Sequence, residues 1–287
     1  MAKKIVITAD STCDLGAELV AKYNIKIKPL YVTLDGEAKL DGIDVTPDDV
    51  YEFYNQTGKL AKTAAVNMAE YEDFFNDIKA EEDCAIIHFN ISNSMSVTHN
   101  NARLAGMELD DVFVIDSANL STGQGLLVLK ACELAESGME PKAIVKEIED
   151  LKPRVDASFV IDSLEYLHKG GRCSTVAALG ANLLKLKPCI EVKGGAMAVG
   201  KKYRGKFDAV LKTYVSERLA NADDIELDRV FVTHAGCDEE VVNAIIEQVK
   251  EALPFKEVLT TRAGCTVSAH CGRNTLGVLF IRKSPIA

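Results

Sequence analysis

A short apolar run, AIIHF at residues 85–89, gives way abruptly to a stretch where Ser92, Asn93, Ser94, Ser96 and Thr98 crowd together. The run is too brief for a stable helix and has the texture of a strand buried on both faces. Residues 100–105 then read as helix. A buried strand that passes through a hydroxyl-rich turn into a helix belongs to α/β architecture. Free backbone N–H groups and side-chain donors converge at such a turn, so it is able to hold an anion. In open α/β sheets, ligands sit there, outside the carboxyl ends of the strands. A Ser/Asn-rich turn that only caps the helix accounts for the same residues equally well.

The same alternation runs through the first half of the chain. Strands are expected at 4–8, 25–34, 85–89 and 112–115, and helices up to about 23, from 47, at 69–80, 120–137 and 141–151. Asp14 or Ser11 is expected to cap the first helix, and Thr46-Pro47-Asp48-Asp49 is a strong helix start with Val50, Phe53 and Tyr54 on one face. Residues 62–67 read as a loop. Repeated strand–helix order is the signature of a mostly parallel, doubly wound sheet.

After Pro153 the texture changes. Strands at 158–161, 190–193, 196–203, 229–234 and 258–261 mix with helices at about 175–185, 207–220 and 239–252, and a final strand follows a glycine-punctuated loop around His270. Gly194-Gly195 marks a hairpin. These patterns predict two α/β domains, residues 1–154 and 155–287, the second with a mixed sheet and flanking helices.

The net charge of −10 argues against non-specific nucleic-acid binding, which needs a basic face to displace counterions. Lys and Arg do gather between 185 and 206, which fits a small anion or partner better than a polyanion. The opening MAKKIVITAD runs straight into a strand, and no apolar stretch is long enough to span a bilayer, so neither signal peptide nor membrane span is expected. The eight cysteines include no CxxC pair, and the five histidines are scattered. Reduced thiols in a cytoplasmic protein are expected, with no disulfide frame and no metal centre.

Several segments together resemble the DegV family, whose members include the fatty-acid-binding subunits (FakB) of a bacterial fatty acid kinase. They are IVITADSTCDL at 5–15, the IxxxPLxV pattern at 25–32, TAAVN at 63–67, SNSMSVTH at 92–99, LHKGGR at 167–172, LLKLKP at 183–188 and HCGRNTLG at 270–277. The resemblance implies a two-domain carrier that buries one long-chain fatty acid, such as palmitate, stearate or oleate, with the tail in an apolar tunnel. It implies a carboxylate held near the domain interface by Thr63, the Ser92 loop and His270. It further implies presentation of that carboxylate to a separate ATP-dependent (FakA-like) kinase subunit, which makes acyl phosphate for phospholipid synthesis. The binding protein then has no catalysis and no cofactor of its own.

Burial of a tail is worth about 0.8 kcal/mol per CH₂, so about fourteen methylenes give on the order of 11 kcal/mol gross. A charge-assisted hydrogen bond to the head adds only about 1.5–3 kcal/mol net. The candidate ligand contacts are Thr63, Ser92, Asn93, Ser96, Thr98, His270 and Arg273, with Lys169, Arg172 and Arg204 as further anion or partner contacts. Within a buried strand, His88 reads as a core residue. Departures from the family pattern fall at Ala64, Ala65, Val66, Asn93, Val97, His99, Arg273 and Asn274. If the family glycine at Val97 uses positive φ, a β-branched residue follows it only at a cost.

Three other readings compete. A serine–histidine hydrolase would need a nucleophile elbow, and no GxSxG occurs. A dinucleotide-binding protein would need more than Gly123-Gln124-Gly125, and no GxxxxGK[ST] is present. A different small anionic ligand is the third, raised by the departures above.

Overall fold

The computed structural model describes residues 3–173 and 186–286. The expected helix at 175–185 lies outside the described residues. Three sheets make up the frame. The first is a parallel four-stranded sheet of β1 (Lys4–Asp10), β2 (Lys26–Lys28), β6 (Cys84–Asn90) and β7 (Val112–Asp116), in the order β2-β1-β6-β7. Every residue of β6 is buried, as its unbroken apolar run requires.

The region expected as one strand at 25–34 divides. Pro29 lacks an N–H for a ladder, and the chain leaves the parallel sheet there. It re-forms as β3 (Tyr31–Leu34), which pairs antiparallel with β4 (Glu37–Leu40) and β5 (Lys62–Ala64) in a separate small sheet. Thus the segment read as a loop at 62–67 begins as a strand, with Thr63 in register with Val32.

The third sheet is mixed and comes from the second half of the chain. Its order is β11 (Ala196–Tyr203), β10 (Lys187–Lys193), β9 (Ser158–Ile161), β14 (Thr275–Arg282), β12 (Ile225–Ala235) and β13 (Glu257–Arg262), with β8 (Val155–Asp156) also paired to β14. Only the β12–β13 pair is parallel. The hairpin between β10 and β11 turns at Gly194 and Gly195, both at positive φ, as a tight two-residue turn demands.

Between the parallel and mixed sheets lies α5 (Ser121–Glu136), which touches strands of both. Leu126, Leu127, Val128 and Leu129 are all buried, so the middle of this helix is covered on every side, as its place between two sheets requires, and charged residues appear only from Lys130 on. Its two glycines are packing residues and not part of a nucleotide loop. A Cβ on Gly123 would lie 2.1 Å from Asn119 Oδ1, and one on Gly125 would lie 2.9 Å from the Cys13 carbonyl oxygen.

Helix starts follow local chemistry. Thr46 and Asp49 form a capping box with Pro47 in the first turn of α2 (Pro47–Thr57), although Val50 and Tyr51 are its buried residues and Phe53 and Tyr54 are only partly covered. Asn67 and Glu70 form another box at α3 (Met68–Glu81). Neither Asp14 nor Ser11 caps the first helix, α1 (Ala17–Lys22); its cap is Gly16, and the two polar residues are used elsewhere.

Gly125→Ala should destabilise the chain by about 1–3 kcal/mol, because the backbone oxygen of Cys13 has little room to move. Thermal unfolding read by circular dichroism should show a midpoint lower by several degrees, while an exposed control such as Gly36→Ala tests only the strain of positive φ.

Candidate functional site

The polar turn after β1 works at long range. Asp14 Oδ1 accepts the Gly264 N–H at 2.8 Å, and Asp41 accepts the N–H groups of Cys265 at 2.8 Å and Thr266 at 3.1 Å. Ser11 Oγ donates to Asp41 at 3.0 Å. These acceptors take the free N–H groups at the start of a short helix, Cys265–Cys271, and fix its position. Burial, against donors from Ser121 and Gly264, pushes the Asp14 carboxyl up to about 8.

That short helix carries His270 toward β5, and Val32, Ala61, Cys265 and Ala269 pack together behind it. As a result Thr63 Oγ1 and His270 Nε2 meet at 2.8 Å across 207 residues of sequence. Burial, followed by the nearby Arg172 charge, lowers the His270 imidazole to about 4, so it is neutral at pH 7. Its Nδ1 has no hydrogen-bond partner among the described residues and abuts Gly170, where a Cβ would lie 2.5 Å away.

Thr63 and His270 line a cavity of about 290 Å³. Asn93, Ser94, Ser96, Arg172 and Thr266 add polar groups, while Leu30, Ile91, Met95, Leu120, Met197 and Val267 supply apolar wall. Leu120, Val267 and Cys271 also line an adjoining slot of about 30 Å³ that runs toward Phe159, Val192 and Leu279. On the other side, Thr63, Arg172 and His270 border an outer groove of about 750 Å³ with Lys59, Lys62 and Lys169.

Of the residues expected at the site, Thr63, Asn93, Ser96, His270 and Arg172 are brought together. Ser92 is buried, and its Oγ donates to the Gly195 carbonyl at 2.6 Å, locking the loop to the hairpin turn; it does not line the cavity. Thr98 is also buried, with its hydroxyl 2.8 Å from that of Tyr71. Arg273 is exposed and turned away, 4.8 Å over the Tyr51 ring and 3.6 Å from Asp48. Lys169 pairs with Glu165 at 2.6 Å and borders only the groove, and Arg204 is exposed and lines neither cavity.

In the basic stretch up to 206, Lys187 pairs with Asp162, Lys193 with Glu191 and Lys201 with Glu217, while Lys202, Arg204 and Lys206 are exposed. His88 is a core residue, 2.7 Å from Thr8 Oγ1 and edge-on to Tyr71 and Phe75. Val97 sits at φ −75°, so its position asks nothing of glycine, whereas Asn274 takes φ +56°, which asparagine tolerates. The apolar lining had no local signal in sequence, since it comes from short pieces of distant elements.

Among the described residues no cluster of His, Cys, Asp or Glu could hold a metal ion, and no helix is long and apolar enough to cross a membrane.

The family model described as "Uncharacterised protein, DegV family" matches residues 4–283. The chain belongs to the DegV family. A DegV domain-containing protein of Clostridium acetobutylicum is 33% identical over 287 residues, covering 98% of this chain and 99% of that one. Among solved structures, a DegV family protein from Thermus thermophilus described by its fatty acid binding superposes with a TM-score of 0.88 at 28% identity, covering 97% of this chain and 99% of that one. A stearic acid-binding protein from Eubacterium ventriosum gives 0.83 at 28% identity, with 99% of each chain covered. The α/β architecture with one parallel and one mixed sheet is therefore that of DegV proteins.

Because His270 is neutral when folded and charges near its ordinary value when unfolded, its contribution to stability is lost as pH falls through the unfolded value of about 6.5 and levels off below about 4. From pH 7 to pH 5, the unfolding free energy read in urea should fall by about 1–2 kcal/mol more for the wild type than for His270→Asn. Equal losses in the two proteins would show that His270 is not held neutral.

Proposed function

We propose that this protein binds one long-chain fatty acid, with its carboxylate at Thr63 and His270 and its tail along the apolar wall. The observation that carries this reading is the Thr63–His270 pair, at the polar end of a cavity that is otherwise mostly apolar. The fatty-acid-binding DegV neighbours support the same class of ligand. The ligand lies between an N-terminal unit, residues 1–154, and a C-terminal unit, residues 155–287.

Thr63 and His270 offer hydroxyl and imidazole donors to the head, Ser96 and Asn93 flank it, and Arg172 supplies positive charge. At about 290 Å³ the cavity is at the lower bound of ligand sites. A long tail therefore enters the apolar slot beside Leu120 and Val267, which must widen as it fills. The polar end borders the outer groove through Thr63, Arg172 and His270, so a separate ATP-dependent kinase subunit reaches the carboxylate from there. In that step a carboxylate oxygen attacks the γ-phosphorus of ATP, the bond to the β-phosphate oxygen breaks, and acyl phosphate and ADP result. This chain supplies binding and presentation and no catalysis.

A hydrolase reading is disfavoured by His270 Nδ1, which has no carboxylate partner to set its tautomer.

Protein purified from a heterologous host and measured by native mass spectrometry, then by organic extraction, should carry one fatty acid per chain. Thr63→Ala and His270→Ala should each weaken binding by about 10- to 100-fold, since each removes a hydrogen bond to a charged head. Mixing the loaded protein with a bacterial fatty acid kinase subunit and ATP should give acyl phosphate only when both proteins are present. An empty protein that takes up no added fatty acid would overturn the reading.

The bound carboxylate should also raise the His270 pKa, because a negative charge within hydrogen-bond reach favours imidazolium. An NMR titration of the ring protons should place its midpoint above about 4 in the loaded protein, and an unchanged midpoint would put the carboxylate elsewhere.

A further inference from the structure

Two residues lining the cavity carry a buried polar side-chain atom without a hydrogen bond, and both lie on the helix Cys265–Cys271. One is His270, whose orphan Nδ1 faces Gly170 while its Nε2 meets Thr63. The other is Thr266, whose hydroxyl has no hydrogen-bond partner among the described residues.

Thr266 is only 5% exposed. Its backbone N–H is already fixed on Asp41 at 3.1 Å. A threonine inside a helix usually relieves its hydroxyl on a carbonyl three or four residues back. Here the helix has only just begun, and the Ala263 carbonyl is taken by Ser268 Oγ at 3.2 Å. A buried hydroxyl left unpaired costs about 1–3 kcal/mol. Valine has almost the same shape and would avoid that cost at an apolar wall, so packing alone gives no reason for threonine.

The polar lining also exceeds the needs of one carboxylate, which has about four lone-pair sites. Thr63, His270, Ser94, Ser96, Asn93 and Arg172 all stand around the same cavity as Thr266. Thr266 lies four residues, about 6 Å along the axis, from His270 and on the same side of the helix. A ligand whose carboxylate sits at His270 therefore passes Thr266 within its first few carbons. In this structure the Thr266 hydroxyl is shielded from the cavity that the residue lines; helical threonine divides between two χ1 rotamers, and contact with a ligand needs the change of rotamer that moves the hydroxyl to the other side of Cβ.

We propose that Thr266 is a specificity residue, and that the preferred ligand is a long-chain acid bearing an oxygen substituent, a hydroxyl or keto group, a few carbons from its carboxylate. The Thr266 hydroxyl makes the hydrogen bond to that oxygen. This rests on the fatty acid reading above, with the carboxylate at Thr63 and His270.

The test compares a 3-hydroxy long-chain acid with the parent acid of the same length, by calorimetric titration against delipidated wild type, Thr266→Val and Thr266→Ser. Wild type should prefer the hydroxy acid by about tenfold, the value of one neutral hydrogen bond at a site that otherwise leaves it unmade. Thr266→Val should abolish the preference while holding the parent acid within about twofold of wild type, and Thr266→Ser should restore it. Parent acid bound without any preference in wild type overturns the role of Thr266 and leaves the fatty acid reading intact. An equal loss for both acids in Thr266→Val also overturns it, because the residue would then serve the carboxylate or the fold. Failure of wild type to bind either acid overturns both.

Discussion

The carboxylate of Asp10 holds together the elements from which the site is built. It is fully buried at the end of β1 and accepts hydrogen bonds from Thr12 N at 3.1 Å, Gln124 Nε2 at 3.1 Å, Asn90 Nδ2 at 3.1 Å and Ile91 N at 2.9 Å, with the Thr12 hydroxyl beside them. Burying a carboxylate is costly unless donors replace water, and burial does push the Asp10 carboxyl upward while these donors pull it back. The donors come from three places: the turn after β1, the end of β6 and the buried helix α5. Each is thereby tied to a single point. Ile91 then starts the loop that walls the cavity, so the origin of that loop is set by Asp10 and not by the ligand.

The same turn reaches across the molecule. Asp14 and Ser11, a few residues on, secure the start of the helix that carries His270, the latter through Asp41. One short polar segment thus anchors both walls of the cavity: the loop through Asp10 and the histidine helix through Asp14 and Ser11. Such an arrangement explains why a chain would concentrate acids in its interior at an energetic cost. The N–H groups at the helix start need acceptors in a place water does not reach, and carboxylates accept two at once.

Most of the frame was legible in sequence because its signals are local. The buried run of β6, the Thr46-Pro47 helix start and the Gly194-Gly195 turn each specify their own element. The site was legible only where a motif stood in for geometry. Nothing near Thr63 or His270 announces that they meet; small-sheet pairing of β5 with β3 and the shared packing of Val32 and Ala269 bring them together. Hydroxyl-rich sequence also misled in a definite way. Ser92, Thr98 and Ser11 look like ligand or cap donors, yet they are consumed by Gly195, Tyr71 and Asp41. A hydroxyl is able to serve fold or ligand, and composition does not distinguish the two. The apolar wall was invisible for a different reason: Leu30, Met95, Leu120, Met197 and Val267 are ordinary core residues of distant elements until the fold leaves a space between them.

Under the fatty acid reading, head and tail do different jobs, and the magnitudes say which. A tail worth on the order of 11 kcal/mol gross outweighs a head worth about 1.5–3, so the polar end contributes the smaller share of retention. What it contributes is direction. A neutral His270 beside Thr63 provides donors without fixing a formal charge in the wall, so the empty cavity does not have to bury an unpaired imidazolium. Arg172, exposed at the junction of cavity and groove, supplies the positive charge where solvent still reaches it. This division keeps the carboxylate at the groove rather than drawing it inward. Were the head phosphorylated, as proposed, the added negative charge would emerge on the side where Lys62, Lys169 and Arg172 stand. Holding the ligand by its tail and only orienting it by its head leaves the reacting oxygen free to change its chemistry without losing its place.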